Sequence, residues 1–343
     1  MIDLRSDTVT LPSKRMLETI YTAPLGDSGR LDSNRHGEDP TINELEHYAA
    51  NLLGKEDAAF CVSGIMGNLT ALLTHCNPGD TVLVDEHQHL FRREKGGFNP
   101  RVGQLLADMY KTDETGLPDE KDIDNKLATG RIKLLCLENT NNDRGGLCMP
   151  LNKMQRIYSI AKKYNVPLHL DGARLFNAAL ALKIDAKQLA NNADSIMFCV
   201  SKGLGAPIGS LVCGSKEFIY ELREIRRWLG GDMRQAGVIA APALYALKNN
   251  ISSLEEDYIK AQSLCDSLQN LKNIKVPAKI DTNIVMLNVA TGKSKKLVAN
   301  LLEAGIISGA VDEERVRLVF HRDITQQDLK VTVSTLKKID TIL

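Results

Sequence analysis

The stretch Asp194-Ser195-Ile196-Met197-Phe198-Cys199-Val200-Ser201-Lys202-Gly203-Leu204-Gly205-Ala206-Pro207-Ile208-Gly209-Ser210 decides the fold. Ile196 to Val200 form an apolar run of strand length, and the run stops at Ser201-Lys202 before a series of small residues. A lysine at the end of a buried strand is poorly explained by solvation and well explained by chemistry at its amine. The slim backbone after it leaves room for a ligand to approach. Lys202 is therefore read as the amine that holds a carbonyl cofactor, against the plainer reading of a side chain whose stem lies on the strand end and whose ammonium reaches water.

Outward from this stretch, short apolar runs alternate with helical patterns. Ala58 to Val62, Thr81 to Val84, Ile132 to Leu137, Pro167 to Leu170, Ser195 to Val200 and Ile208 to Cys213 read as strands; Leu151 to Tyr164 and Phe218 to Trp228 read as amphipathic helices. This alternation predicts an α/β fold with a mainly parallel sheet and helices on both faces. The pattern changes after the apolar helix Ala236 to Leu247. A charged helix (Ser252 to Leu271), a strand (Asn283 to Leu287), a helix (Ser294 to Ala304), a strand (Val316 to Phe320) and a final helix from Thr325 predict a smaller C-terminal α+β domain. The expected division is residues 1–249 and 250–343, packed together, because no Pro-rich or low-complexity linker separates them.

Composition narrows the function classes. Lys+Arg and Asp+Glu both total 43 in 343 residues, so no net field favours nucleic acid or an anionic membrane. No apolar run approaches membrane-span length, and the charged N-terminus Met1-Ile2-Asp3-Leu4-Arg5 does not fit a signal peptide, so a cytoplasmic protein is expected. The seven cysteines are odd in number, sit mostly in apolar runs and form no CxxC pair; they read as reduced core residues. No metal site is expected, since His87 and His89 are the closest candidate ligands and a lone His-x-His is weak evidence.

Chemistry at an amino acid through an amine-bound carbonyl needs an electron sink, a phosphate cradle and a cation for the carboxylate. In His169-Leu170-Asp171-Gly172-Ala173-Arg174, Asp171 and Arg174 end another apolar run. Asp171 suits a protonated pyridine nitrogen or, equally, a helix N-cap. Arg174 offers a fork for a carboxylate or phenolate, or an ion pair with an acid. Ser63-Gly64-Ile65-Met66-Gly67-Asn68 follows a strand and opens a helix, where backbone N–H groups can cradle a phosphate, although such turns are common in α/β proteins. Arg234 could add a contact to that phosphate or sit on the surface. His89 could stack on a heteroaromatic ring or move protons, or be structural.

With those pieces assembled, the chain resembles the low-specificity L-threonine aldolases of the aldolase and β-eliminating lyase group, fold-type-I pyridoxal-phosphate enzymes of the aspartate-aminotransferase-like fold. The likeness runs almost end to end through LRSDTVTLPS, HGEDPTINELE, SGIMGN, HLFRREKGG, CLENTNN, LHLDGARLFNAA, SKGLGAPIGS, LGGDMRQAG and VRLVFHRDIT. The resemblance implies pyridoxal 5'-phosphate on Lys202, Asp171 as pyridinium partner, and His89 stacked on the ring. It implies a phosphate loop at Ser63, Gly64, Ile65 and Gly67 with Arg234, and a substrate carboxylate bound by Ser6, Arg174 and Arg317. The implied reaction is cleavage of threonine or allo-threonine to glycine and acetaldehyde in a homo-oligomer, a dimer or tetramer, with active sites between subunits.

Four positions depart from the family pattern. Asn141 replaces a second active-site histidine expected to contact the β-hydroxyl; as a substrate-binding residue its amide can hydrogen-bond that hydroxyl but cannot take its proton at neutral pH. His36 replaces a tyrosine expected near the cofactor or a neighbouring subunit, Ile65 replaces a threonine, and Asp232 replaces a glycine, placing a charge close to Arg234. The competing functions are a racemase or β-eliminating lyase with the same cofactor, a cofactor-binding chain with impaired aldolase activity, and a Rossmann-type nucleotide binder that lacks the GxGxxG spacing.

Overall fold

A computed structural model describes all 343 residues. Its centre is a seven-stranded sheet in the order Asp57–Cys61, Ser210–Gly214, Ser195–Cys199, Leu168–Asp171, Ile132–Glu138, Thr81–Val84, Leu106–Met109. The five strands from Ser195–Cys199 to Leu106–Met109 run parallel, and Ser210–Gly214 pairs antiparallel with both of its neighbours. The sequence pattern could not distinguish that strand's direction, but the connection Val200–Gly209 is too short for a parallel crossover. Leu106–Met109, on the sheet's edge, had no apolar run to announce it.

Register positions the chemistry. Glu138 lies opposite Asp171, so their two strands end level, and Asp171 lies opposite Met197, two residues before the next strand ends at Cys199. Asp171 closes its own strand, Lys202 follows the next, and His89 follows Thr81–Val84. This is the edge at which ligands bind open α/β sheets. The glycines after Lys202 serve packing as well as access. Gly205 and Gly209 adopt φ of +79° and +114°. A Cβ on Gly203 would come within 2.7 Å of Leu254, and one on Gly209 would run into the Phe60 ring.

The C-terminal part forms a three-stranded antiparallel sheet, Gly309–Ala310, Arg315–Val319 and Ile284–Asn288, over its own core of Leu264, Leu287, Leu301, Val316, Leu318 and Phe320. Leu4 joins that core. Ile2–Asp3 pairs parallel with Ile306–Ile307, and the Val319 amide donates to the Leu4 carbonyl at 2.9 Å. The expected division at residues 1–249 therefore needs correction: the first residues belong by packing to the smaller layer. Only two apolar residues, Ile2 and Leu4, mark this strap, too few for a pattern.

Seven buried free cysteines match the sequence reading. The helix Pro40–Leu53 was not foreseen, although Asp39 caps it, with Oδ1 accepting from the Thr41 and Ile42 amides, and Pro40 opens it. Asp-Pro ahead of Ile42, Leu45, Ala49 and Leu53 is a readable helix start.

Candidate active site

A cavity of about 350 Å³ opens where the sheet's C-terminal edge meets the smaller layer. Ser6, His89, Arg174, Lys202 and Arg317 line it, so five side chains singled out from the sequence converge. Lys202 comes from the turn after Ser195–Cys199, and its ammonium makes no hydrogen bond or ion pair to any protein group. Arg317 comes from the smaller layer by simple alternation. Val316 and Leu318 point into the core, whereas Arg317, opposite Met286 and Gly309, faces the cavity that both of those residues also line.

Beside the cavity lies a network of carboxylates and amides. His89 Nδ1 meets Glu94 Oε1 at 2.8 Å, and Asn68 Nδ2 donates to the same oxygen at 3.0 Å and to Asp171 Oδ2 at 2.9 Å. Asn68 Oδ1 is engaged by His169 Nε2 at 3.2 Å, and His169 Nδ1 by Ser195 Oγ at 2.8 Å, which fixes the amide's orientation. Oxygen and nitrogen atoms of His89, Glu94 and Asp171 lie within 4.8 Å of one another. With Nδ1 held by Glu94, His89 keeps Nε2 for a ligand. Glu138 accepts from the His89 amide and the Asn142 amide, both at 2.9 Å, and burial together with Asp171 raises its carboxyl above the usual carboxylate range. Burial raises Glu94 in the same way, against the pull of its hydrogen bond from His89.

Arg174 is more committed than expected. Its Nε and Nη2 donate to the two oxygens of Asp7, each at 2.7 Å, and both side chains are buried. Burial alone would raise Asp7, but the Arg174 guanidinium holds it down to about 2. Only Nη1 remains, donating to Asn142 Oδ1 at 3.1 Å, and Arg317 Nη1 donates to that oxygen at 2.9 Å. Asn142 therefore gathers the two guanidiniums. Burial and the Arg174 charge push Arg317 below its ordinary value, a cation poorly compensated where it stands.

Other expected residues fall elsewhere. The helix Gly64–His75 starts beside the network through Asn68, and its N-cap Ser63 accepts from the Met66 amide at 3.1 Å. Gly64 and Gly67 are set by packing, since a Cβ would come within 2.9 Å of Cys199 Sγ and 2.8 Å of Met197. Ile65 is half exposed. Arg234 ion-pairs with Asp27 at 3.1 Å outside the cavity and is largely in solvent. Asp232 pairs with Arg227 at 3.4 Å rather than with Arg234, and Arg227 is the nearer partner that the sequence reading overlooked. His36 sits by Asp57 at 3.5 Å and Arg223 at 3.3 Å, away from the cavity. Asn141 does not line the cavity either; its Oδ1 accepts from the Arg144 amide at 3.1 Å, closing its own turn. Asp7, Asn68, Glu94, Glu138 and Asn142 were missed. All five lay inside quoted motifs, but the Arg174 partner of Asp7 and the His89 partner of Glu138 are remote in sequence.

A free lysine at this edge of a mainly parallel sheet, sharing a cavity with a histidine and two arginines and with the buried Asp171 beside it, defines a class of cofactor-bearing lysine enzymes. The chain belongs to the beta-eliminating lyase family, which matches residues 3–291. It is 38% identical over 98% of its length to low-specificity L-threonine aldolase 1 of Arabidopsis thaliana, covering 96% of that protein. It is 37% identical to the low specificity L-threonine aldolase of Escherichia coli K12, over 96% of each chain. The solved threonine aldolase of Leishmania major superposes with a TM-score of 0.81 at 17% identity, covering 99% of this chain and 100% of that one.

The residues present fit pyridoxal 5'-phosphate. The cavity has the size of a small-molecule site and holds an unengaged amine. Thr140 Oγ1, on its lining, is buried without a hydrogen-bond partner. That hydroxyl is free to bond a ligand group in the cavity.

Proposed function

We propose that this chain cleaves the Cα–Cβ bond of β-hydroxy-α-amino acids, threonine and allo-threonine among them, to glycine and an aldehyde, using pyridoxal 5'-phosphate. The observation that carries this reading is the unpaired Lys202 ammonium in a cavity shared with His89 and Arg317. When bound, the cofactor supplies an electron-poor ring that accepts the electron pair released at Cα.

Each residue's part follows from its surroundings. Lys202 holds the cofactor covalently. Asp171, oriented by Asn68, would pair with the ring nitrogen, and the amides opening the helix Gly64–His75 would hold the phosphate. Arg317 and Ser6 take the substrate carboxylate. Arg174 backs them through Asn142, its own fork being held by Asp7. Fixing the carboxylate sets which bond at Cα stands perpendicular to the ring. His89 accepts the β-hydroxyl proton at Nε2 while Glu94 stabilises the imidazolium through Nδ1. Asn141 takes no part in that transfer, since its carbonyl is engaged within its own turn.

A second copy of the chain completes the site in this reading. Ile65 and Ile208 are exposed, and Arg234, paired with Asp27 and largely in solvent, does not line the cavity of its own chain. A partner's Arg234 could supply that charge. No helix is long and apolar enough to cross a membrane. The seven reduced thiols suit a cytoplasmic setting.

Incubation of the purified holoprotein with threonine, allo-threonine, phenylserine and alanine tests the reaction. Glycine with an aldehyde is the expected outcome. Racemised alanine without aldehyde, or ammonia with a keto acid, would replace it with the racemase or β-eliminating reading.

A further inference from the structure

The cations of the cavity do not balance once the reaction is assigned. Arg174 is neutralised by Asp7 through two hydrogen bonds of 2.7 Å. Lys202 is taken by the cofactor, and Arg317 by the α-carboxylate. Arg93 is left over. It lines the cavity, half of its side chain is exposed, and it makes no hydrogen bond. Its one ionic neighbour, Asp143, lies 3.7 Å away and is already shared: Arg92 Nη1 donates to Asp143 Oδ2 at 2.9 Å, and Asn142 Nδ2 to Oδ1 at 3.3 Å. Two guanidiniums thus face one carboxylate, and the better-placed bond belongs to Arg92. Glu138, the other acid on the lining, has its oxygens occupied by the amides of His89 and Asn142.

The rest of the lining gives little welcome to an apolar substituent. Only 4 of its 16 residues are hydrophobic, among them Ala173, Ala310 and Val311. A planar fork with no hydrogen bond of its own on a polar cavity's lining is suited to bidentate recognition of an oxyanion. The fork also adds to the positive field at Arg317, so an anion near both would relieve it.

We propose that Arg93 is a specificity residue that binds an anionic group on the β side of the substrate, so that the preferred substrates are β-hydroxy-α-amino acids with a second carboxylate. This deepens the reaction proposed above and rests on it. With 3-hydroxyaspartate the balance is simple. The Cα–Cβ bond breaks, the β-hydroxyl gives up its proton and Cβ becomes the aldehyde carbon of an oxo acid. Cα gains a proton to become that of glycine, and no oxidant or reductant enters.

The test compares 3-hydroxyaspartate with 3-hydroxyasparagine, which has the same shape without the charge, on wild-type holoenzyme, Arg93→Gln and Arg93→Lys, with threonine as reference. The wild type is expected to favour the charged substrate in kcat/KM by about tenfold or more. Arg93→Gln should bring the ratio to within about twofold, and Arg93→Lys should keep part of it. A wild-type ratio near one, or a ratio that Arg93→Gln leaves unchanged, overturns the assignment of Arg93 even when threonine is cleaved. Absence of glycine from all three substrates would instead remove the underlying reaction, and this inference with it.

Discussion

Two clusters of arginines stand apart, one at the edge strand Asp57–Cys61 and one at the cavity, and only the first is matched charge for charge. Arg223 donates to Asp57 and Glu46, each at 2.8 Å, and to the Ala58 carbonyl at 2.8 Å; Arg226 donates to the Phe60 carbonyl at 2.6 Å with Glu46 at 3.4 Å. Those arginines tie the helix Lys216–Trp228 to the edge strand Asp57–Cys61 and to the helix Pro40–Leu53. At the cavity, by contrast, Arg317, Arg93 and Lys202 lack an acid of their own. A buried cation with full partners holds a fold together, whereas one without them is kept for a ligand.

This contrast can be broken from either side. Lys202→Ala should lower cleavage of β-hydroxy amino acids by about a thousandfold or more while leaving the melting temperature nearly unchanged, because the ammonium bonds nothing in the protein. Steady-state kinetics beside a thermal melt would show it, and retained activity would return Lys202 to the surface-lysine reading. Glu46→Ala should do the reverse. It leaves Arg223 and Arg226 short of an acid, for a loss of about 3–5 kcal/mol in denaturant unfolding, with turnover per folded molecule preserved.

The neutral histidines behind Asp171 sharpen the same point at smaller scale. Burial lowers His169 to about 3 and His75 to about 4, from an ordinary 6.5. Between pH 6.5 and 4 the unfolded chain therefore binds more protons than the folded one, and stability falls as pH falls. Each histidine contributes up to about 1.4 kcal/mol per pH unit in that window. His169→Gln should flatten the slope in urea titrations across it; an unchanged slope would contradict the buried neutral assignment. The smallest effect is expected from Asn141→His, within about twofold for threonine and allo-threonine alike, because residue 141 faces its own turn. A larger change in either diastereomer would place that side chain on the β-hydroxyl.

The sheet and its catalytic edge were legible because strand ends carry their own punctuation. Lys202, Asp171 and His89 each follow an apolar run, and a parallel sheet brings such ends together. Contacts across the chain were not legible. Asp7 and Arg174 stand 167 residues apart, and nothing local distinguishes an arginine waiting for substrate from one already paired. Glu94 stands five residues from His89, a spacing produced by the wide turn Leu90–Glu94 and absent from ordinary helix periodicity. The place of Asn141 was illegible for a related reason: motif position fixes a residue's place in the chain, but the turn Asn141–Leu147 decides which of two adjacent asparagines faces the arginines.

The central claim is that the Lys202 amine is the one that bonds the cofactor. Loading the protein with pyridoxal 5'-phosphate, reducing it with borohydride and mapping the peptides by mass tests it directly. The cofactor's added mass is expected on the peptide containing Lys202 and on no other. Mass added at a different lysine, or none after loading, would contradict it.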